Sequence, residues 1–156
     1  MERPSVRVAV VMERRVLANR WQSEAWAPVA VIPDIEAGDR TPRLLDEDGE
    51  RARWLHPGFE IRLYRDEAEG YYLNMSATTP YVFVMWRDEE GRVAPHIVTV
   101  SYNEAARMMD GGERVDGVPM PASLAPWVAA FAAEHYKPEP KKRSRPPSFK
   151  GARREG

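Results

Sequence analysis

Arg14, Asn19, Arg20, Trp21 and Trp26 place five recognition-type side chains in one short stretch, Met12 to Trp26. An indole presents a large flat apolar area with a single N–H, and a guanidinium presents a planar fork of donors, so such a set grips a surface or stacks internally. Neither group is a ready nucleophile. Two readings stay open: Trp21 and Trp26 close the end of a sheet with arginines stacked on them, or Arg14, Asn19, Arg20 and Trp21 form a partner-binding patch.

Residues with bond-making chemistry are scattered. His56, His96 and His135 fall in separate segments without spaced companions, so a zinc site would need three unrelated elements to converge. The simpler expectations are a loop position for His56 before Pro57, a strand position for His96, and a helix-end position for His135 that complements the dipole. Asp46-Glu-Asp-Gly-Glu50 has the acidity of a calcium loop but neither its alternating ligand spacing nor the glutamate six residues beyond the glycine, and reads as a solvated turn. Nucleophile elbows, Gly-x-Gly-x-x-Gly turns, Walker loops and His-Glu-x-x-His are absent, and Gly111-Gly112 reads as a helix stop. With no cysteine, thiol nucleophiles, disulfides and thiolate metal sites are excluded. Asn19, Arg20 and Glu24 are polar enough to join a site assembled in space, but their spacing assigns them no catalytic role. The expectation is binding, with no catalytic residue, metal or cofactor.

The net charge of −1 conceals a division. From Lys137 to Gly156, eight basic residues face only Glu139 and Glu155, a net of +6, which leaves −7 on the remainder. Low hydrophobicity and like charge predict a disordered tail. Lys141, Lys142, Arg143 and Arg145 are its electrostatic centre. They suit either docking on an acidic protein surface or neutralising nucleic-acid phosphates, although Phe149 alone is interleaved for stacking on bases.

These residues must be carried by some scaffold, and the pattern predicts a β-rich one. Val6, Val8 and Val10 alternate before the tryptophan segment and Val29-Ala-Val-Ile32 follows it, so two strands are expected with a loop or short helix between them, Trp26 standing just before the second. Asp46-Glu-Asp-Gly49, Glu67-Ala-Glu-Gly70 and Asp88-Glu-Glu-Gly91 read as hairpin turns. The middle one would join Phe59–Arg65 to a strand Tyr71–Ser76. Thr78-Thr-Pro80 reads as a turn, Tyr81–Trp86 as the most buried strand, and Arg92–Ser101 as its return, with Pro95 at an edge or bulge. Ser101-Tyr-Asn-Glu104 opens a short helix as a capping box, stopped at Asp110-Gly-Gly112. A second helix is expected from an N-cap at Ser123, with Pro126 in its first turn and Leu124, Trp127, Val128, Phe131 and His135 at helical spacing. Val115–Pro121 is extended but too proline-rich for a central strand, and Pro33–Pro42 is a loop. The expected fold is thus α+β: six or seven strands in a meandering antiparallel sheet curled toward a barrel or sandwich, two C-terminal helices, and a tail over 137–156. The N-terminal residues lack a signal-peptide core and no apolar run reaches the roughly 20 residues that span a bilayer, so a soluble cytoplasmic protein is expected.

Val8-Ala-Val-Val-Met-Glu-Arg-Arg-Val-Leu-Ala-Asn-Arg-Trp21, with Trp26, Val31-Ile-Pro-Asp34, Tyr102-Asn-Glu-Ala-Ala-Arg107, Asp110-Gly-Gly112, Val118-Pro-Met-Pro121 and His135-Tyr-Lys-Pro-Glu139, resembles the bacterial family catalogued as domain of unknown function 3305. The resemblance covers nearly the whole chain. It implies a small proteobacterial protein, often encoded beside formate dehydrogenase and its maturation factors, and it brings no catalytic residues. The function expected from it is a non-catalytic accessory or assembly role for a molybdenum- or tungsten-dependent formate dehydrogenase, exerted by protein–protein contact. Nucleic-acid binding through the tail, and a small-ligand or enzymatic site at the mouth of the sheet, are the alternatives.

Because the apolar pattern is complete before Lys137, a chain ending at Tyr136 should fold with an almost unchanged melting temperature. A large loss of thermal stability on that truncation would place the tail inside the fold.

Overall fold

Alternating apolar residues bury both faces of the first strand. In β1 (Ser5–Val16), Val8, Val10 and Met12 are wholly buried on one face and Ala9 and Val11 are buried on the other. The computed structural model describes residues 4–34 and 40–138. Two partners flank β1, both antiparallel: β2 (Glu24–Pro33) and β4 (Arg51–Arg62). With β3 (Arg43–Glu47) added to β4, the first sheet has the order β2-β1-β4-β3. A second antiparallel sheet, β6-β5-β7, is built from β5 (Tyr81–Glu89), β6 (Arg92–Thr99) and β7 (Arg114–Pro119). Three helices complete the described chain: α1 (Ala68–Met75), α2 (Tyr102–Asp110) and α3 (Ala125–His135).

One core joins these parts. Val8, Val10, Met12, Val31 and Ile61 from the first sheet meet Val82, Val84, Trp86, Val98 and Val118 from the second, with Tyr71 of α1 and Val128 and Phe131 of α3. Each such side chain contributes about 1.5–3 kcal/mol when fully buried. The β-rich antiparallel character expected from the sequence is present. The two sheets are separate, however, and no barrel closes. Nor is the chain a meander, since β1 takes β4 rather than a sequential neighbour as its second partner.

Several local expectations hold. The turn at Asp88–Gly91 joins β5 to β6, with Glu90 and Gly91 at φ 57° and 84° and Asp88 Oδ1 accepting from Gly91 N–H. Asp48 Oδ1 accepts from the backbone N–H groups of Glu50 and Arg51, which closes the β3–β4 turn and holds its carboxyl below the ordinary value. Pro95 lies on the edge strand β6 where the register slips between Met85 and Trp86. Both C-terminal helices form. Ser101 Oγ accepts from Glu104 N–H at 3.0 Å as the N-cap of α2, while the Glu104 carboxylate accepts from Thr99 Oγ1.

Others need correction. The segment from Met12 to Trp26 is mostly strand: β1 continues to Val16 and β2 begins at Glu24, so only residues 17–23 connect them and Trp26 lies within β2. His56 lies in β4, not a loop, and burial lowers its pKa. The N-cap of α3 is Leu124 rather than Ser123, without a side-chain cap bond. Glu67-Ala-Glu-Gly70 is not a hairpin, and Tyr71–Met75 is helical rather than a strand. Its Tyr71/Leu73/Met75 alternation misleads because the buried face is Ala68, Tyr71 and Asn74, at helical spacing, while Leu73 is exposed. Residues 35–39 of the expected Pro33–Pro42 loop, and residues 139–156 of the tail, lie outside the described residues.

A polar lock holds α1 in place. Asn74 Nδ2 donates to Tyr81 O at 2.8 Å and Val100 O at 2.9 Å, and its Oδ1 accepts from Tyr81 N–H at 3.0 Å. Nearby, Ser101 Oγ donates to Glu67 Oε1 at 2.6 Å and Arg107 pairs with the other Glu67 oxygen. Gly70 is required at this crossing, because any Cβ there would collide with Ser101 Oγ. Replacing Asn74 by alanine leaves backbone groups of Tyr81 and Val100 without this partner and should cost about 3 kcal/mol. A urea titration of Asn74→Ala checks this, with a lowered midpoint expected at nearly constant slope.

Candidate functional site

The two ends of the paired sheets differ. At one end, Pro4 O accepts from Leu63 N–H, Pro80 O accepts from Met120 N–H, and Asn74 holds the start of β5. Here α1 and α3 close the core, with the Tyr71 and Phe131 rings edge to face at 5.7 Å. At the other end lie the β1–β2 connection and the β5–β6 turn. The described helices pack on one another and, through α2, on β5 and β7.

Register decides which side chains gather at that open end. Arg14, two positions beyond Met12 on the inward face of β1, stands opposite Trp26 of β2. Trp54 of β4 stands opposite Met12. The Trp26 and Trp54 rings are 5.2 Å apart, and the Arg14 guanidinium lies 5.4 Å from the Trp54 ring while pairing with Glu47 at 3.4 Å. From the second sheet, Trp86 follows Val82 and Val84 on the inward face of β5, opposite Arg114 of β7. Arg114 lies 5.0 Å over the Trp86 ring, and Trp86 Nε1 donates to Asp116 Oδ2 at 2.6 Å.

The 17–23 connection forms the rim. Leu17 N–H donates to Ser23 O at 2.9 Å, closing the loop. Within it, Asn19 Oδ1 accepts from Trp21 N–H at 2.8 Å and the Arg20 guanidinium lies 5.6 Å from the Trp21 ring. Trp21 is nonetheless 85% exposed. Between rim and sheets is a cleft of about 440 Å³, lined among others by Trp21, Glu24, Trp26, Trp86, Asp88 and Arg114. Trp26 Nε1 donates to Glu24 Oε2 at 3.2 Å. Indole faces beside carboxylates and a guanidinium provide stacking, cation–π contact and charge-assisted hydrogen bonds.

The candidate residues therefore divide. Asn19, Arg20 and Trp21 share the exposed rim. Arg14 belongs to β1, stacked and ion-paired, and is not among the residues lining the cleft. Lys141, Lys142, Arg143 and Arg145 lie outside the described residues. Trp86, Asp88, Arg114 and Asp116 were missed by sequence reasoning; the available signal was Trp86 at the end of an apolar run, followed at once by Arg87 and Asp88. A second polar cluster, Glu67 with Ser101 and Arg107, is a helix cap: Ser101 is wholly buried, so its hydroxyl meets no substrate. Among the described residues, no group of three His, Cys, Asp or Glu is placed to hold a metal ion, and no helix is long and apolar enough to cross a membrane.

Comparison with known proteins adds one finding. The model of the family described as protein of unknown function (DUF3305) matches residues 7–145. The chain belongs to this family. No curated protein and no solved structure matches it. The matched span takes in the rim, the cleft and all three helices, so the architecture of this DUF3305 protein falls within the family region.

The two rim-region tryptophans should separate in a stability measurement. Trp26 packs against the core and Trp54, so Trp26→Ala should cost about 3 kcal/mol. Trp21→Ala, at an exposed position, should change stability by no more than about 0.5 kcal/mol. Chemical denaturation of both variants checks this; equal losses would make Trp21 a fold residue.

Proposed function

We propose that this DUF3305 protein is a non-catalytic accessory factor that acts by protein–protein contact, with Asn19, Arg20 and Trp21 as its binding rim. The observation that carries the reading is Trp21: 85% exposed, yet held by a backbone bond to Asn19 Oδ1 and by Arg20 stacked beside its ring. Free energy is gained when such a ring is covered, and the loop backbone is already tied by the Leu17–Ser23 and Trp21–Asn19 hydrogen bonds, which limits the conformational entropy lost on binding. Tryptophan and arginine are also the residue types most enriched in binding hot spots. The partner suggested by the sequence resemblance is a molybdenum- or tungsten-dependent formate dehydrogenase or its maturation machinery, met in the cytoplasm. A second reading, nucleic-acid contact through Lys141, Lys142, Arg143 and Arg145, is supported by the +6 net charge from Lys137 to Gly156.

Tagged wild-type protein and an Arg20→Ala/Trp21→Ala variant, expressed in a host making formate dehydrogenase, decide the matter. The enzyme or a maturation factor should co-purify with the wild type and be lost from a variant whose circular dichroism and melting are unchanged. Undiminished capture by the variant overturns the rim assignment. Tight, salt-sensitive DNA or RNA binding that disappears when the four tail residues become alanine would favour the second reading.

A further inference from the structure

The cleft behind the rim has an unusual charge inventory. Glu24, Asp88 and Asp116 join no ion pair among the described residues, and neither does Arg114. Elsewhere in the molecule, carboxylates such as Glu13, Glu47, Glu67 and Glu113 are each met by arginine. Glu24 uses Oε2 on the Trp26 indole N–H, and Asp88 uses Oδ1 on Gly91 N–H. In each, no hydrogen bond among the described residues engages the second oxygen. Among the side chains that line the cleft, Glu24 and Asp88 against Arg114 give a net charge of −1, beside the exposed ring of Trp21 and the half-buried ring of Trp26.

We infer that the cleft is a receptor for an arginine or lysine side chain of a partner segment, its apolar stem covered by the Trp21 and Trp26 indoles and its charge met by Glu24 and Asp88. This rests on the protein-binding reading above and names the partner's chemistry. The fold already makes the same contact internally. Among the described residues a guanidinium lies over an indole three times, Arg14 on Trp54, Arg20 on Trp21 and Arg114 on Trp86, the last within the cleft itself. Arg114 shows the complete arrangement: the cation covers the ring face and Asp116 takes the indole N–H. Glu24 and Trp26 repeat the carboxylate-to-indole half of that arrangement with no cation of this chain in an ion pair. An anionic ligand would meet the carboxylates unfavourably, and a purely apolar one would desolvate them without replacing their hydrogen bonds. A cation with an apolar stem satisfies both kinds of surface, and its affinity falls with added salt because Glu24 and Asp88 are exposed.

The test uses the full chain, nitrogen-15 labelled, with its tryptophan indole resonances assigned by single Trp→Phe variants. The probes are N-acetyl-arginine methylamide, its uncharged citrulline analogue, N-acetyl-glutamate methylamide and oligothymidylate. Saturable shifts of the Trp21 and Trp26 indoles by the arginine probe are expected, with affinity about tenfold weaker for the citrulline analogue. The Glu24→Gln/Asp88→Asn variant should weaken arginine binding by a similar factor and leave the citrulline response unchanged. Equal affinity for arginine and citrulline probes, shifts confined to Trp54, or preferential binding of the glutamate probe or of oligothymidylate would each overturn the inference. Co-purification with the carboxylate variant separates the two proposals. If arginine does not bind and wild type and carboxylate variant capture the partner equally, the cationic ligand is wrong while rim docking stands. If arginine binds as expected but the Arg20→Ala/Trp21→Ala variant still captures the partner, the rim reading fails and the cleft assignment survives.

Discussion

Burial of both faces of β1 is the constraint from which the rest of the architecture follows. Val8, Val10 and Met12 need a layer on one side, while Ala9 and Val11 need cover on the other. A strand with neighbours on both edges and apolar residues on both faces has no solvent-tolerant surface, so the remaining chain must supply the layers around it. The second sheet and α3 supply the inner one, meeting β1 through Val82, Val84, Val98 and Val128. The small set Ala9, Val11 and Leu55, with Ala30 against it, forms the outer cluster.

The two ends of this stack are finished with different chemistry. At the helical end, polar groups are consumed internally: Asn74 serves the backbone of β5 and of Val100, Tyr71 Oη accepts from Tyr64 N–H, and Glu67 is shared by Ser101 and Arg107. Desolvation pushes the Tyr71 hydroxyl up to about 12, as expected for a phenol kept in an apolar setting. Satisfied internally, with Asn74, Tyr71 and Ser101 buried, these groups specify one packing of α1 and leave little for a ligand. At the opposite end Trp86 is buried, but Trp26 and Trp54 are only partly covered, Trp21 is exposed, and so are Glu24, Asp88 and Asp116. The asymmetry between a locked end and an open end is what makes the latter the candidate site.

Arginine on tryptophan is the recurring contact at that open end. A guanidinium is weakly hydrated and planar, so it covers an indole face without losing its hydrogen bonds at the edge. Arg14 and Arg114 thereby shield Trp54 and Trp86, one on each sheet, and a ring that would otherwise invite aggregation is kept partly dry. Trp21 differs. Its loop projects it beyond both sheets, and Arg20 stacks beside it without burying it.

Sequence alone determined the elements whose signals are local. The Asp48 and Gly91 turns, the bulge at Pro95, the Ser101 cap and the apolar period of α3 depend on residues a few positions apart, and each was legible. Its largest failure, reading α1 as a strand, has a clear cause. Asn74 is polar and buried, so no hydropathy pattern marks it, and Tyr71, Leu73 and Met75 alternate like a strand until the Val100 and Tyr81 backbones that Asn74 serves are known. Asn19, Arg20 and Trp21 stood out as a local polar-aromatic group whose mutual contacts span only two residues, but whether Trp21 closed the sheet or faced solvent was left open until the fold exposed it. The cleft was not legible. Trp26, Trp86 and Arg114 are brought together by strand register and by the facing of two sheets, pairings between residues 60 and 88 positions apart that no local pattern encodes. Side-chain chemistry was written in the chain, but Trp86 met Asp116 only when β5 paired with β7, and the cleft formed only where the second sheet faced the β1–β2 connection.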